Sequence, residues 1–410
     1  MPEFFTLVPP DEARERILAH VRPLGQSETV PTEQAVGRVL AVDVTSPQAL
    51  PEFRRSTVDG YAVRAQDTFG ASESLPAYLR LAGEVPMGRP AEADVSPAEA
   101  VLVHTGGMIP AGADAVVMIE HTQAAGPDEI EVRRPVAPGE NIIQIGEDIT
   151  AGEPILPAGR RLRAQDIGGL LAVGITWVTV ARRPRVVIFA TGDEVIPPNG
   201  QTQPGQVRDI NSYTIAALAE QAGAEAVRGG ILPDQFEVLL GRSQAALAEG
   251  ADMLVLSAGS SVSVRDMTSD VFNRLGEPGV LVHGIATRPG KPTILGAAGN
   301  VPLVGLPGNP VSAFVQFMRV AVPVIYRLQG AEPPAGLPIR ARLTANVASS
   351  AGREDYIPAR LIEREGELWA EPIFFKSNLI FTLIKANGLI KVPLNKTGLQ
   401  AGEWAEVVGL

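Results

Sequence analysis

The sequence predicts a multidomain protein that combines a central, mostly parallel α/β domain with an inserted β-rich module and a small C-terminal β-barrel. Apolar strand segments alternate with helical segments from residue 183 to residue 330, which is typical of a parallel sheet covered by helices. Short β-rich runs divided by Gly and Pro fill residues 46–144 and 339–410. A Pro-rich linker, AEPPAGLP at 331–338, separates the α/β part from the last region.

Composition supports several folded domains and excludes some functional classes. The 410 residues are 45% apolar and only 5% aromatic, so the core is mostly aliphatic. The chain has no cysteine, which excludes thiol catalysis, disulfides and cysteine-ligated metals. The net charge of −11 hides no basic domain, so nucleic-acid binding is not expected. No uninterrupted apolar run reaches the roughly 18 residues that span a bilayer, and no signal peptide is recognisable. We therefore expect a cytoplasmic protein with no membrane partner.

The elements outside the α/β part are predicted in chain order. Pro10 and Asp11 begin a helix whose apolar residues recur at helical spacing as far as Val21. Residues 37–45 are interpreted as a helix end that runs into an extended segment. Residues 145–182 return to helix, with Gln165–Val173 as the best candidate.

Four strands and four helices are predicted in the α/β part. The strands are Arg185–Ala190, Ala226–Leu232, Asp252–Ser257 and Val301–Leu306. The helices are Asn211–Gln221, Pro233–Glu249, Asp266–Leu275 and Pro310–Leu328. Asn211 and Ser212 can cap the first helix, and Asp234 is expected in the first turn of the second.

Three loops after these strands are predicted to meet at one crevice, because ligands of open α/β sheets bind at the carboxyl ends of the strands. They span residues 191–194 (TGDE), 257–266 (SAGSSVSVRD) and 305–312 (GLPGNPVS). Small residues let the backbone approach a ligand, and N–H groups at helix starts attract anions. Carboxylates beside bound phosphates indicate a bridging Mg²⁺. The alternative is that each loop only makes a tight turn.

Other segments carry weaker chemical signals. Arg288 and Lys291 bracket a Pro-Gly turn, which suits phosphate binding, although solvated surface cations would have the same pattern. Asp59, Thr105 and Asp148 lie in Gly-containing turns that, taken singly, are more typical of structure than of a site. No Ser-His-Asp arrangement can be proposed from spacing, and the sequence has no Gly-x-Gly-x-x-Gly motif.

Taken together and in this order, these segments resemble the molybdopterin molybdenumtransferase family, the MoeA proteins and the gephyrin E domain. The resemblance covers nearly the whole chain. The segments that carry it are STVDGYAV (56–63), HTGGMIPAGADAVVMIE (104–120), GENIIQIGEDI (139–149), ATGDEV (190–195), SAGSSVSVRD (257–266), RPGKP (288–292), GLPGNPVSAF (305–314), GREDYIPARL (352–361) and KSNLIFTLIKANGL (376–389).

The resemblance implies an elongated homodimer of four-domain subunits. The domains would be 1–45 with 145–182, 46–144, 183–330 and 331–410, and the α/β domain would resemble molybdopterin adenylyltransferase. The active cleft would form between the α/β domain of one subunit and the inserted and C-terminal domains of the other. The reaction would insert molybdate into adenylylated molybdopterin with Mg²⁺-dependent release of AMP. The implied partners are the adenylyltransferase and apo-molybdoenzymes or their chaperones.

The resemblance also assigns roles to individual residues. The expected catalytic residues are Asp59, Thr105, Asp148, Glu194, Asp234 and Asp266, of which Glu194 and Asp266 would hold Mg²⁺. The expected residues for substrate and phosphate are Gly192, Ser257, Gly259, Ser260, Ser261, Arg288, Lys291, Gly308 and Asn309. The expected residues for molybdate are Pro307, Pro310, Arg353 and Ser377.

The chain departs from the family pattern in the loops. Ala258 and Ser263 stand where many members have glycine, and Arg288 replaces a common lysine, which changes a point charge into a planar fork. Three alternatives stay open at this point. They are an adenylyltransferase that makes the activated pterin, a non-enzymatic scaffold or carrier, and a paralogue that handles tungstate.

Overall fold

The computed structural model describes residues 7–258, 262–333, 338–374 and 376–410, with the backbone alone for 262–265. Its accessible surface is 20122 Å². A compact monomer of 43.2 kDa would expose about 15,000 Å². The excess is expected of the elongated, multidomain chain that the sequence predicts.

The chain begins with one helix and two short strands: α1 (Pro10–Leu18), β1 (Ser27–Pro31) and β2 (Val44–Thr45). The predicted helix at Pro10 is confirmed, and it buries Ala13 and Ile17. The helix end predicted at the start of 37–45 is wrong, whereas the extended segment that follows agrees with β2. A strand and a single 3₁₀ turn precede residue 37, because Pro31 ends the strand and Gly37 takes a positive φ of 77° that stops further helix.

The inserted module is β-rich, as predicted. Its strands are β3 (Arg55–Ser56), β4 (Gly60–Val63), β5 (Ala77–Glu84), β6 (Glu99–Val103), β7 (Ala115–Met118), β8 (Thr122–Gly126), β9 (Glu129–Val132) and β10 (Ile142–Ile143). Six of them form one sheet in the order β7-β4-β6-β5-β9-β8. Ala62 and Val116 pack on one face, whereas Val63 and Val117 pack on the other, so apolar residues cover both faces of the central strands.

The chain then returns to its first part through β11 (Pro154–Leu156), α2 (Ala164–Ala172) and β12 (Trp177–Ala181). Strand β12 pairs antiparallel with β1, and β11 pairs with β2. These pairings join the stretches that precede and follow the inserted module. The Asp166 carboxylate accepts the backbone N–H of Arg163 at 2.8 Å, which satisfies a free donor at the start of α2.

The α/β part contains the central six-stranded sheet. Its elements are β13 (Arg185–Thr191), β14 (Val195–Ile196), β15 (Val207–Arg208), α3 (Asn211–Gln221), β16 (Glu225–Leu232), α4 (Phe236–Ala248), β17 (Met253–Ala258), α5 (Val262–Leu275), β18 (Pro278–His283), β19 (Thr287–Arg288), β20 (Ile294–Ala298), β21 (Val301–Pro307), α6 (Pro310–Gln316) and α7 (Val322–Leu328). The strand order is β16-β13-β17-β21-β20-β18. The first four strands run parallel, and β20 is antiparallel to both of its neighbours, β21 and β18, so the mostly parallel sheet is confirmed.

Two local expectations in this part are wrong. Neither Asn211 nor Ser212 caps α3, because both lie inside the helix. The backbone N–H of Ser212 donates instead to the Asp209 carboxylate at 3.0 Å, since Asp209 stands three residues earlier where its side chain can reach that N–H. Asp234 does not lie in the first turn of α4. Leu239 N–H makes the first helical bond, to the Gln235 carbonyl at 3.0 Å, so the helix begins at Phe236 and Asp234 stays in the preceding loop.

The predicted helix Pro310–Leu328 is one helical stretch with a π-helical turn at Phe317–Ala321. By length and composition its 19 residues could cross a membrane, which corrects the expectation that no segment is long enough. In the structure 72% of its most apolar window is buried. Phe317 and Val324 pack against the central sheet, whereas Val311 and Val315 pack against the C-terminal region.

The C-terminal region is a closed barrel, as predicted. Its elements are β22 (Ile339–Leu343), β23 (Val347–Ala348), β24 (Glu354–Arg364), β25 (Glu367–Pro372), α8 (Phe381–Ile384), β26 (Gly388–Val392), β27 (Gly398–Leu399) and β28 (Trp404–Gly409). The order β24-β25-β22-β28-β26 closes because β24 also pairs with β26. Strand β19 of the α/β part runs parallel to the start of β24 and attaches the barrel to it.

Candidate active site

A cleft of about 530 Å³ lies at the carboxyl ends of β13, β17 and β21. Because these neighbouring strands are parallel, their last residues meet at one edge of the sheet. The lining includes Thr191, Glu194, Ser257, Gly308 and Asn309. The first and third predicted loops therefore face the same space. The predicted residues Gly259, Ser260 and Ser261 lie outside the described residues.

Asn211 connects two of these strand ends. Its Nδ2 donates to Ser257 Oγ and to the Gly308 carbonyl, both at 2.9 Å. Ser257 is 4% exposed, so its hydroxyl is held at the base of the cleft. The sequence identified Asn211 only as a helix cap. No local pattern reveals its role, since its partners are 46 and 97 residues away.

One side of the cleft is acidic. Glu194 lies in the lining, and the backbone N–H of Asp234 donates to Asp193 Oδ1 at 3.3 Å. Burial raises the pKa of Asp234, and the charges of Asp193 and Glu194 raise it further, while the side chain of Thr191 offsets a part of this rise. Gly192 permits this arrangement, because a Cβ there would stand 2.5 Å from Glu194 Oε2.

Asp234 Oδ1 is buried and has no hydrogen-bond partner among the described residues. A buried carboxylate oxygen without a donor, next to two further carboxylates, is suited to a cation. The described residues contain no set of three His, Asp or Glu side chains arranged as a closed metal site. The donors therefore fit Mg²⁺ that is shared with a phosphate ligand, since Mg²⁺ commonly binds one or two carboxylates plus phosphate oxygens.

Asp266, the other predicted magnesium ligand, lies exposed on α5. The contacts described for the chain place Glu194 near Asp234 and do not connect it to Asp266. The structure thus brings Asp193, Glu194 and Asp234 together and leaves Asp266 apart from them.

The barrel supplies the opposite rim of the cleft. Asn309 Nδ2 donates to Ser377 Oγ at 2.9 Å, and Val311 N–H donates to the Ser377 carbonyl at 3.1 Å. Pro307 is buried at the end of β21, and Pro310 opens α6, where its missing N–H costs nothing. Ser377 therefore joins the loop that the sequence analysis placed near the oxyanion.

Two predicted basic residues lie together in a different place. Arg353 makes a two-pronged contact with Asp355, at 2.9 and 3.3 Å, and Asp355 is only 1% exposed. Arg288 Nη1 is 3.8 Å from the same carboxylate, and it lines a pocket of about 230 Å³ that is separate from the cleft. Lys291 is exposed nearby. Of the four residues expected for molybdate, Pro310 lines the cleft and Ser377 contacts its rim through Asn309, whereas Arg353 pairs with Asp355 elsewhere.

Asp59 and Thr105 of the inserted module, and Asp148 just after it, are exposed and lie outside the cleft. Asp59 Oδ1 accepts the Thr105 backbone N–H at 2.9 Å and lies 3.8 Å from His104 Nδ1. Asp148 is exposed, and its N–H donates to the Leu50 carbonyl at 3.0 Å. Within the described parts of a single chain, no residue of 46–144 lines the cleft. Asp59 and Glu194 therefore do not share a site in one subunit.

The fold and the site define a multidomain α/β protein with a ligand cleft at the carboxyl edge of its central sheet. Residues 187–327 match the family described as "Probable molybdopterin binding domain". Residues 8–174 match the MoeA N-terminal region (domain I and II), and residues 340–410 match the MoeA C-terminal region (domain IV). The chain belongs to the MoeA family.

Full-length relatives agree with this assignment. The chain is 34% identical over 405 residues to molybdopterin molybdenumtransferase 2 of Mycobacterium tuberculosis, covering 97% of this chain and 98% of the relative. It is 34% identical to the molybdopterin molybdenumtransferase of Bacillus subtilis, covering 100% and 95%. The crystal structure of the molybdopterin biosynthesis moeA protein from Pyrococcus horikoshii superposes with a TM-score of 0.86 at 33% identity, covering 99% of this chain and 100% of that one.

Proposed function

We propose that this protein is a molybdopterin molybdenumtransferase, which inserts molybdate into adenylylated molybdopterin and releases AMP. The observation that carries the proposal is the 34% identity to curated enzymes of that name over essentially the whole chain. The cleft agrees with it, because small residues from two strand ends and the side chain of Glu194 face one space. The dithiolene sulfurs come from the substrate, so the protein needs no cysteine of its own.

Cleavage of a phosphoanhydride depends on charge neutralisation more than on a strong nucleophile. In our proposal Glu194 and Asp234 hold Mg²⁺, which would neutralise phosphate charge when bound. Asn211 fixes Ser257 and the Gly308 backbone so that both face the nucleotide phosphate. Ser377 and Asn309 orient the oxyanion at the barrel rim.

We also propose that the active unit is a homodimer. Asp59, Thr105 and Asp148 are exposed and lie outside the cleft of their own chain, and the accessible surface of 20122 Å² leaves ample area for a partner. A second subunit would bring this exposed group to the cleft. The cytoplasmic location and the adenylyltransferase and apo-molybdoenzyme partners stay predictions.

A single-turnover assay tests the proposed reaction. Purified protein is mixed with adenylylated molybdopterin, with either Mg²⁺ or EDTA, and with molybdate, tungstate or no oxyanion. We expect AMP release that requires Mg²⁺ and an oxyanion, together with a product that reconstitutes an apo-molybdoenzyme. Tight substrate binding without AMP release under every condition would show a carrier, and AMP release with tungstate only would show the tungsten paralogue. ATP-dependent adenylylation of molybdopterin would show an adenylyltransferase.

The role of Asn211 leads to a second prediction. Substitution of Asn211 by alanine removes both hydrogen bonds that hold Ser257 and Gly308, and we expect kcat/KM to fall about tenfold, the effect of losing roughly 1.4 kcal/mol of interaction. Thr214→Ala, one turn further along α3, is the matched control and should leave kcat/KM unchanged. An equal kcat/KM for the wild-type protein and Asn211→Ala would show that these two hydrogen bonds do not contribute to turnover.

A further inference from the structure

A second cavity, larger than the cleft, lies between the turn at residues 157–163 and the end of α7. Its volume is about 700 Å³, and it shares no lining residue with the cleft. Three arginines in four positions, Arg160, Arg161 and Arg163, line it on one side. Tyr326, Gly330 and Glu332 line it on the other. Such a concentration of positive charge is unexpected in a chain with a net charge of −11.

Arg161 forms the floor of this cavity without a counter-charge. Its Nε donates to the Gly37 carbonyl at 3.1 Å, its Nη2 donates to the Gln221 carbonyl at 2.7 Å, and its Nη1 donates to the Tyr326 hydroxyl. All three acceptors are neutral. Within the described parts of the chain, no carboxylate lies within ion-pair distance of Arg161, so its charge is fixed in place and uncompensated.

The other two arginines share one carboxylate. Arg163 binds Asp166 through two nitrogens, at 3.0 and 2.9 Å, and this contact lowers the pKa of Asp166. Arg160 Nε is 3.7 Å from the same carboxylate, beyond hydrogen-bond distance, and it is buried without an acceptor among the described residues. Glu332 is already paired with Arg327 at 3.1 Å. Asp43 accepts the backbone N–H of Ala158 at 2.8 Å but makes no ion pair with these arginines among the described residues. The three guanidiniums therefore share one paired carboxylate, Asp166, and two of their positive charges have no ion-pair partner of their own.

The volume of the cavity and its other lining residues indicate which class of ligand it can bind. Inorganic phosphate alone would fill a small part of 700 Å³, a volume typical of sites for drug-sized ligands. Val36, Pro157 and Ala158 provide an apolar wall beside the arginines. We propose that this cavity binds a phosphomonoester dianion that carries a ring-sized apolar group. Guanidinium groups suit phosphate oxygens in geometry as well as in charge.

A ligand in this cavity would contact two parts of the fold at once. The turn at 157–163 belongs to the stretch that pairs with the N-terminal strands, whereas Tyr326 and Gly330 end the α/β part. The two are already close, because a Cβ on Gly159 would stand 2.8 Å from the Gly330 carbonyl oxygen. Binding would therefore hold the first part of the chain against the α/β part. The site is independent of the proposed reaction.

Phenyl phosphate is a suitable probe, because it combines a dianion with one ring and carries no nucleoside that would favour the cleft. We expect saturable binding by calorimetry at constant ionic strength. We also expect slower hydrogen exchange at residues 157–163 and 326–332. The monoanion p-toluenesulfonate, which is similar in size, should bind at least tenfold more weakly, since it leaves one excess charge uncompensated.

Arg160→Gln should weaken phenyl phosphate binding about tenfold or more, because it removes one charged donor. This variant keeps the Arg161 and Arg163 contacts, so it should fold. Arg183→Gln, which removes an equal charge at an exposed position outside the cavity, should bind as the wild type does. Unchanged affinity in Arg160→Gln, equal binding of the sulfonate, protection only around the cleft, or no saturable binding at all would each overturn the proposal.

Discussion

Replacement of Asp234 by asparagine is expected to lower turnover roughly a hundredfold, the size found when one preorganised electrostatic group is removed from an active site, while raising the melting temperature at neutral pH. The carboxylate is partly buried, one of its oxygens has no donor among the described residues, and Asp193 and Glu194 repel it. Asparagine has nearly the same shape but no charge. It therefore removes the repulsion together with the group proposed to hold Mg²⁺.

The direction of the pKa shift of Asp234 determines how the increase in melting temperature depends on pH. Folding raises the pKa of Asp234, so the ionised side chain penalises the folded state at a pH above its folded pKa. The penalty disappears as the pH falls through that pKa. In EDTA, the melting temperature of Asp234→Asn should exceed that of the wild type at pH 7, and the difference should shrink on acidification toward the ordinary carboxyl range.

Glu237→Gln is the matched control, since it removes the same charge from the exposed first turn of α4, three residues away. It should leave turnover unchanged and should not raise the melting temperature. If Asp234→Asn lost activity and stability together, the residue would have a structural role and its assignment as a magnesium ligand would fail.

The substitution Gly60→Ala is expected to unfold the inserted module, at a cost of more than about 3 kcal/mol, because overpacking of a rigid site reaches the upper end of single-residue effects. A Cβ at this position would stand 2.0 Å from the Val117 carbonyl oxygen and 2.9 Å from its carbon. These atoms belong to β7, which is hydrogen-bonded to β4, so the neighbour cannot move without breaking the sheet.

Gly126→Ala provides the control in the same sheet. Its Cβ would meet nothing closer than Glu129 Cβ at 3.9 Å, so its stability should stay within about 1 kcal/mol of the wild type. Hydrogen exchange should show loss of protection in Gly60→Ala across β4, β6 and β7 but not in the central α/β sheet. Retained protection in those three strands would contradict the packing argument. Activity should be lost as well, because Asp59 adjoins this glycine.

The main strands of the α/β part could be predicted from sequence because burial on both faces leaves a simple apolar signature. Strands β13 and β17 are buried along nearly their whole length. The antiparallel strands β18 and β20 could not be predicted in the same way. They contain Gly279 and Gly296, which weaken the strand signal, and a Cβ on Gly296 would stand 2.6 Å from the Gly279 carbonyl oxygen. The two strands lie so close together at this point that a side chain at residue 296 would not fit. Only the folded structure shows this close approach.

The candidate site could be predicted in its loops but not in its long-range contacts. The sequence placed Glu194, Ser257 and Gly308 after strands, and parallel topology then brought them together. The role of Asn211 in the cleft could not be predicted, because a side-chain contact with distant residues leaves no periodic pattern in the sequence. The second cavity does have a sequence signal, the run Arg160-Arg161-Leu162-Arg163 in an acidic chain, but only the structure shows how few carboxylates neutralise it.

The central claim is that a complete site combines Glu194 of one subunit with Asp59 of the other. Co-expression of Asp59→Asn and Glu194→Gln chains tests it most directly, because each variant alone should be inactive. Random pairing makes half of the dimers mixed, and each mixed dimer has one site with both residues intact, so the account predicts recovery of about a quarter of wild-type AMP release. No recovery from purified mixed dimers would contradict the account, because it would show that both residues must act within the same chain.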